Sequence, residues 1–369
     1  MKKLGFGCMR FPLLNPDDPK SVDLEQVKAM VDLFLKRGFT YFDTAWFYHQ
    51  GTSEGVVRQA LVDRHPRDSF TLADKMPLSS LKDKTAADQE EIFRTQLERC
   101  GVDYFDYYLL HNVNAESYET ALALDTFSYL LGQKEQGRIR HLGFSFHDSA
   151  KVLDRVLTEH PEVEFVQLQL NYLDWESPSV QSRLCYETAV RHGKKVVVME
   201  PVKGGKLADP SPEVARLFRG YDPAASLPSW AIRFAASLEE VMVVLSGMSN
   251  LEQMQENIRT FEEEKPLNPQ EMKALLCIAD TMVRKNILPC TACHYCVSHC
   301  PQGLDIPSLL ALYNEHHFTE GGFIAPMALS AIAQNKWPSA CIACRSCEAV
   351  CPQQIEISAA MASFAKELG

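Results

Sequence analysis

Residues 104–111 read YFDYYLLH, an apolar run too short for a helix, rich in strand-forming aromatics and closed by a histidine. Seven more short runs of this kind precede residue 265, at 4–7, 40–43, 70–75, 142–146, 165–169, 196–200 and 241–245. Each is followed by helical periodicity or by a gap long enough for a helix, the pattern of parallel strands joined by crossover helices. Between the first two, Leu24, Val27, Val31, Phe34 and Leu35 form a helical stripe that stops at Lys36, Arg37 and Gly38. Similar stripes run through 91–100 and 121–135, and 250–264 reads as the last helix of the series. Eight such strand–helix units in about 260 residues match the size of a (β/α)₈ barrel. The alternative, a doubly wound open sheet, lacks its fingerprint here, because no GxGxxG follows the first strand.

The stretch EEEKPLNPQ, at 262–270, is charged and contains proline, and it reads as a linker with a boundary near residue 265/266. The fold class expected is therefore α/β: a (β/α)₈ TIM barrel over 1–265, then a small, mainly helical domain over 266–369. Helical segments are expected there at 270–285, 306–313 and 325–333.

Of the twelve cysteines, Cys8, Cys100, Cys185 and Cys277 are scattered singly, and the other eight form two dense sets. Cys290, Cys293, Cys296 and Cys300, with Pro301, repeat the spacing of Cys341, Cys344, Cys347 and Cys351, with Pro352. That spacing, C-x₂-C-x₂-C-x₃-C-P, is the bacterial two-cluster [4Fe–4S] ferredoxin pattern, in which the fourth cysteine serves the other cluster. By that rule Cys290, Cys293, Cys296 and Cys351 hold one cluster, while Cys341, Cys344, Cys347 and Cys300 hold the second. Structural zinc also takes four cysteines, but its motifs rarely repeat a proline-terminated run.

A net charge of −11 on 369 residues argues against nucleic acid as a partner, since a polyanion needs a basic patch. No apolar run approaches a membrane span. The first residues, MKKLGFGCMRFP, lack the apolar core of a secretory signal, so the expected location is the cytoplasm.

In barrels of this kind, polar residues at the C-terminal strand ends carry the chemistry. Asp43, Lys75 and His111 close three successive expected strands, and Tyr48 follows in the loop after Asp43. Each alone has an ordinary reading as cap, packing or solvated residue. Together they have a use: a lysine held by an aspartate stabilises the phenolate of a tyrosine that donates a proton, and a histidine polarises a carbonyl oxygen beside it.

At these residues the sequence resembles the aldo-keto reductase superfamily, in particular bacterial members with a C-terminal ferredoxin-like extension. The stretches that carry the likeness are GFGCMRFP, YFDTAWFYHQGTSE, LADKMP, YYLLHN, GFSFHD and SGMSNLEQMQEN, spread over the whole barrel. The resemblance implies that Asp43, Tyr48, Lys75 and His111 are the catalytic tetrad, with Tyr48 the proton donor to a carbonyl that receives hydride from NAD(P)H. It also places Ser145 and Gln167 at the nicotinamide carboxamide and Glu256 and Asn257 at the adenine. Ser246, Gly247, Met248 and Ser249 precede a helix and fall where relatives receive the cofactor phosphates. Three departures stand out: Phe146 replaces an asparagine, Met199 replaces an aromatic ring, and no lysine or arginine stands at Ser246–Ser249 or Gln253 to meet a 2′-phosphate. NADH therefore fits at least as well as NADPH.

A hydride carries two electrons and each cluster moves one, so a flavin would reconcile them. No flavin fingerprint is present, which leaves a flavoprotein or a ferredoxin as the expected redox partner. The expected function is an iron–sulfur oxidoreductase acting on a small carbonyl or alcohol; the alternative is a redox-sensing or docking protein with a weakly active barrel and structural clusters. The loops that would set specificity, at 48–52, 112–116 and 202–209, hold no clear anion clamp beyond Lys203 and Lys206.

Overall fold

The computed structural model describes residues 2–178, 180–263, 265–284, 288–290, 292–322 and 324–368. Glu264 and Lys285, each at the end of an expected helix, lie outside the described residues.

All eight expected strands form, and they close in sequence order into a parallel barrel: β1 (Leu4–Gly7), β2 (Tyr41–Asp43), β3 (Thr71–Pro77), β4 (Phe105–Val113), β5 (Ile139–Phe146), β6 (Phe165–Gln169), β7 (Lys195–Met199) and β8 (Val241–Ser246). β3 and β4 run two residues beyond the expected ends at Lys75 and His111. Lys75 is tolerated inside β3 because its ammonium finds partners in the barrel, and His111, partly buried, lines the cleft at the barrel mouth.

Side chains alternate along each strand, so the register decides which residues share the interior. Tyr41, Ala73, Leu109, Phe165, Val197, Val243 and Leu245 pack together inside the barrel. Two residues further along the same faces come Asp43, Lys75, His111, Gln167 and Met199, so one parity builds both the apolar floor and the polar mouth. The interior is filled by bulk from one strand and absence of bulk from its neighbour. Gly143 of β5 pairs with Leu109 and Phe165, and a Cβ there would lie 2.5 Å from the Phe165 carbonyl oxygen and 2.6 Å from its ring.

The helices cover the outside. Leu24–Lys36 is capped by Asp23, whose side chain accepts from the Gln26 amide, and it buries Val27, Met30, Val31 and Phe34. The stripe expected at 121–135 is not one helix but two, Ala115–Ala123 and Thr126–Glu135. Asp125 adopts a left-handed backbone between them, φ 50°, a conformation its short polar side chain tolerates. Asn250 caps Leu251–Glu262 rather than belonging to it.

The helix Pro269–Arg284 lies on the barrel: Leu275, Ile278 and Ala279 pack with Phe218 and Trp230. Beyond it, Ile306–Phe318, Ile324–Ser330 and Ile357–Glu367 enclose a separate small core that includes Cys296 and Cys347. This unit is fastened to the barrel by Lys203, which sits in the loop after β7. Its ammonium donates to Asp174 at 2.7 Å and to Glu315 of Ile306–Phe318 at 2.8 Å, and all three side chains are buried. Lys206 pairs with Glu320 nearby. Neither lysine is the solvated anion clamp considered from the sequence; both join the two parts of the chain. Among the described residues no helix is long and apolar enough to cross a membrane.

A methyl group at Gly143 has nowhere to go, because its obstacle is backbone. Gly143→Ala is expected to cost at least about 2 kcal/mol, measured by chemical unfolding; a change within 0.5 kcal/mol, about the scatter of neutral surface substitutions, would show that the barrel wall yields.

Candidate active site

The four tetrad candidates meet at the C-terminal mouth of the barrel. Lys75 is fully buried, and its ammonium donates to Asp43 Oδ1 at 2.5 Å, to the Thr44 carbonyl at 2.7 Å and to the Tyr48 hydroxyl at 3.2 Å. All three hydrogens of the ammonium are thus engaged. The second Asp43 oxygen accepts from Gln167 Nε2 at 3.2 Å, which fixes the carboxylate from the opposite side. Burial raises the Asp43 carboxyl, and Lys75 works against that shift. Burial alone would lower the Lys75 ammonium, but the charges of Asp43 and Tyr48 outweigh it and the net shift is upward. The pair therefore stays ionised, and removing either member would leave a buried charge at a cost of about 3–5 kcal/mol.

Tyr48 sits on a short turn, Tyr48–Gly51, whose next residues His49 and Gln50 have left-handed backbones. Burial raises its phenol while the Lys75 charge opposes, so the group rests protonated with a cation ready to stabilise the anion. The His111 ring lies 6.1 Å from the Tyr48 ring, nearly perpendicular to it. Burial, then the charges of Lys75 and His147, hold His111 far below the usual histidine range, so it is a neutral imidazole able to donate a hydrogen bond.

A cleft of about 790 Å³ opens over these residues, with Tyr48, His111, Ser145, Gln167 and Met199 in its walls. A second hollow of about 230 Å³ continues past Asp43 and Tyr48 to Ser246, Gly247, Ser249, Glu256 and Asn257. Most of the cofactor candidates therefore share one surface. Their side chains are partly committed: Ser145 Oγ accepts from the Asn112 amide at 2.8 Å, Asn257 donates to Ser246 Oγ at 2.8 Å, and the Ser249 amide donates to Gln253. Met248 differs, because its side chain is buried in the barrel core and only its backbone belongs to the loop.

Sequence reading missed three residues of this region. Arg10, after β1, lies against Gly247, where a Cβ would be 3.0 Å from its side chain, and among the described residues it is the one cation lining the nucleotide-sized hollow. It sits 3.9 Å from Glu200. His147, within the quoted GFSFHD stretch, faces the cleft beside His111, and burial pulls it down to about 4. Met327 reaches the same cleft from the C-terminal unit. Outside the cleft, Trp46 carries the Arg99 guanidinium on its ring, and Trp175 packs at an angle against Tyr186 and Phe234.

The cysteine loops have the shape a cubane needs. Ala292 and His294 in the first loop have φ of 50° and 61°, and their counterparts Ala343 and Arg345 have 54° and 61°. Two loops of different sequence share the same left-handed bends, which fold each run around a common centre. One hollow is lined by Cys341, Cys344 and Cys347 together with Cys300. On the other side, Cys351 and Cys293 are the cysteines whose charges bear on Cys290. Cys296 feels the charges of Cys290 and Cys293 and also that of Cys347 across the two runs, so the two cysteine sets lie close together, and the donor set, thiolates alone, suits iron–sulfur clusters.

A model of the aldo/keto reductase family matches residues 3–279, three quarters of the chain, and a 4Fe-4S dicluster domain model matches residues 289–356. The chain belongs to the aldo/keto reductase family. It is an oxidoreductase with an iron–sulfur domain behind its barrel. Among its relatives, aldo-keto reductase str7 of Strobilurus tenacellus is 29% identical over 215 residues, 56% of this chain and 60% of that one. An NADH-specific methylglyoxal reductase of Escherichia coli is 25% identical over 262 residues, 60% of this chain and 78% of that one. In structure the chain is similar to the holo form of aldo-keto reductase AKR11C1 from Bacillus halodurans, with a TM-score of 0.58 and 26% identity over 75% of this chain and 91% of that one.

The lowered histidines make a pH prediction. Folding weakens proton binding at His111 and His147, so below the ordinary histidine value of about 6.5 the unfolded chain binds more protons. Stability should fall as pH drops from there towards 4, the folded value for His147. Unfolding midpoints at pH 7 and pH 5 should show this loss, and His147→Gln should reduce it; an equal loss in that variant would assign the effect elsewhere.

Proposed function

We propose that the barrel reduces a small aldehyde or ketone at the expense of NADH, and that two [4Fe–4S] clusters in the C-terminal unit exchange electrons with a ferredoxin or flavoprotein in the cytoplasm. The observation that carries the first part is the ammonium of Lys75 shared between Asp43 and the Tyr48 hydroxyl. When bound, a reduced nicotinamide supplies the hydride and the clusters supply single electrons. The chain's own residues do the rest. Tyr48 gives its phenolic proton to the carbonyl oxygen as that oxygen gains charge, and Lys75 stabilises the phenolate left behind. Neutral His111 donates to the same oxygen and holds it toward Tyr48. Gln167, within β6, and Ser145, near the end of β5, would bind the carboxamide and fix one face of the ring. Arg10, with the backbone of Ser246–Ser249, would face the phosphates, and Glu256 and Asn257 the adenine.

The preference for NADH rests on charge. Among the described residues, the nucleotide-sized hollow holds Arg10 as its single lining cation, beside the acidic Glu200 and Glu256, which leaves little to attract a 2′-phosphate. The similar reductase of Escherichia coli is itself described as NADH-specific. The division of labour would fall near residue 265, with Pro269–Arg284 as the arm docked on the barrel that leads to the cluster loops. Cys290, Cys293, Cys296 and Cys351 would hold one cluster, and Cys341, Cys344, Cys347 and Cys300 the other.

Carbonyl-dependent oxidation of NADH and NADPH, compared in wild type and Tyr48→Phe, tests this reading. Loss of the general acid should lower kcat by about 10²-fold or more while the affinity for NADH is unchanged. A Tyr48→Phe protein that reduces carbonyls at the wild-type rate would overturn it.

A further inference from the structure

Beside His111 lies a cavity of about 270 Å³ that extends away from the nucleotide-sized hollow. On the barrel side its walls include His111, Phe146, His147 and Leu168, and on the opposite side Leu312, Ile324, Met327, Ala328 and Ala331 of the C-terminal unit. Met327 also lines the larger cleft that contains Tyr48 and Gln167, so it stands, with Ser79, His111, Asn112 and His147 of the barrel, where the two spaces meet. From this we infer that the iron–sulfur domain completes the substrate pocket, and that Met327 determines which carbonyl compounds fit. The inference rests on the carbonyl-reductase reading and adds the substrate class: an uncharged aldehyde or ketone with an apolar substituent.

The chemistry of the walls gives that class. Apart from Ser330, whose hydroxyl donates to the Met327 carbonyl, the C-terminal side offers aliphatic and thioether surface, and the barrel side adds Phe146 and Leu168, which favours a hydrocarbon group against that wall. Of the charged lining residues, Lys82 and Glu116 are paired with each other at 2.7 Å, and Asp148, which accepts from the Ala115 and Ser149 amides, adds a negative charge that disfavours an anionic substituent. Polar groups on the barrel side include His111, Asn112 and His147, which are shared with the cleft that holds Tyr48 and where a carbonyl oxygen would be, and Asn114, Ser117 and Thr120 beyond them. A methionine wall is adaptable, so substituents of different shape are tolerated up to the size that Met327 admits.

The wall is held in place by the buried triad. Leu312 lines the cavity, and Glu315, three residues on, accepts from Lys203 in the loop after β7. The helix that carries both starts just after Cys300 and Pro301. Cys300 would tie one end of this helix to a cluster when it is bound, and the ion pair at Glu315 fixes its other end against the barrel. Met327 touches no group that reacts; it selects.

The test uses the full, cluster-loaded protein and a ladder of uncharged ketones from acetone to aryl ketones. Met327→Trp should raise KM for the aryl ketones by about tenfold or more while KM for acetone and the affinity for NADH stay near wild type; Met327→Ala should shift the ladder toward larger members. The visible cluster spectrum confirms that both variants are intact. Binding of a fluorinated aryl ketone, followed by fluorine NMR with NAD⁺ present, separates the two claims. If the wild type binds this ketone without reducing any, and Met327→Trp weakens binding about tenfold, the pocket stands and the reductase reading falls. If Met327→Trp changes neither KM nor binding with clusters present, or if the wild type binds no ketone, the proposal is overturned.

Discussion

The buried ion pair between Lys75 and Asp43 is the constraint around which the barrel mouth is arranged. Two opposite charges inside a protein are worth keeping only if every polar hydrogen and lone pair finds a partner, because the desolvation of each ion costs several kcal/mol. Here the ammonium spends its three hydrogens on a carboxylate, a carbonyl and a phenol, and the carboxylate takes a further bond from Gln167. Asp43 and Gln167 also line the cleft, but the phenol is the partner with a proton to give to a carbonyl oxygen there. The charge the fold must satisfy is thereby directed at the one group that has to lose a proton.

A second buried charge does comparable work between the two parts of the chain. Lys203 joins Asp174, itself held by Gln169 and Asn171, to Glu315 of the C-terminal unit. Burial opposes its charge and the two carboxylates restore it, so the ammonium is held above its ordinary value. Such a contact gives little net stability against an apolar alternative, but it sets geometry, since a displaced carboxylate would leave Lys203 unpaired in the interior. The helix so positioned forms part of the surface that faces His111.

Much of this was legible in the sequence. The strands are short, apolar and separated by helix-length gaps, and all eight form where expected. Their ends were less clear, because Lys75 and His111 look like terminators when read along the chain. Lys75 is an interior residue offset by partners on β2 and the loop after it, and His111 is kept uncharged by burial and by the Lys75 charge. The break at Asp125 carries neither glycine nor proline, so periodicity ran through it. The tetrad could be named because its members recur at matching strand ends, and the cluster ligands because thiolate spacing is constrained by the cubane. Lys203 could not be read, since what buries it is a glutamate 112 residues later. Arg10 and Met327 were hidden for the same reason: nothing local distinguishes a residue that meets the site only after distant elements pack.

The arrangement therefore has a single testable centre, the point between the Tyr48 hydroxyl and the His111 ring. A crystal structure of the cluster-loaded protein with NAD⁺ and an uncharged ketone would locate the carbonyl oxygen directly. The account predicts that this oxygen accepts hydrogen bonds from both Tyr48 and His111, with the substituent of the ketone directed toward Met327. A ketone bound elsewhere, with Tyr48 still tied to Lys75 and facing only solvent, would contradict it.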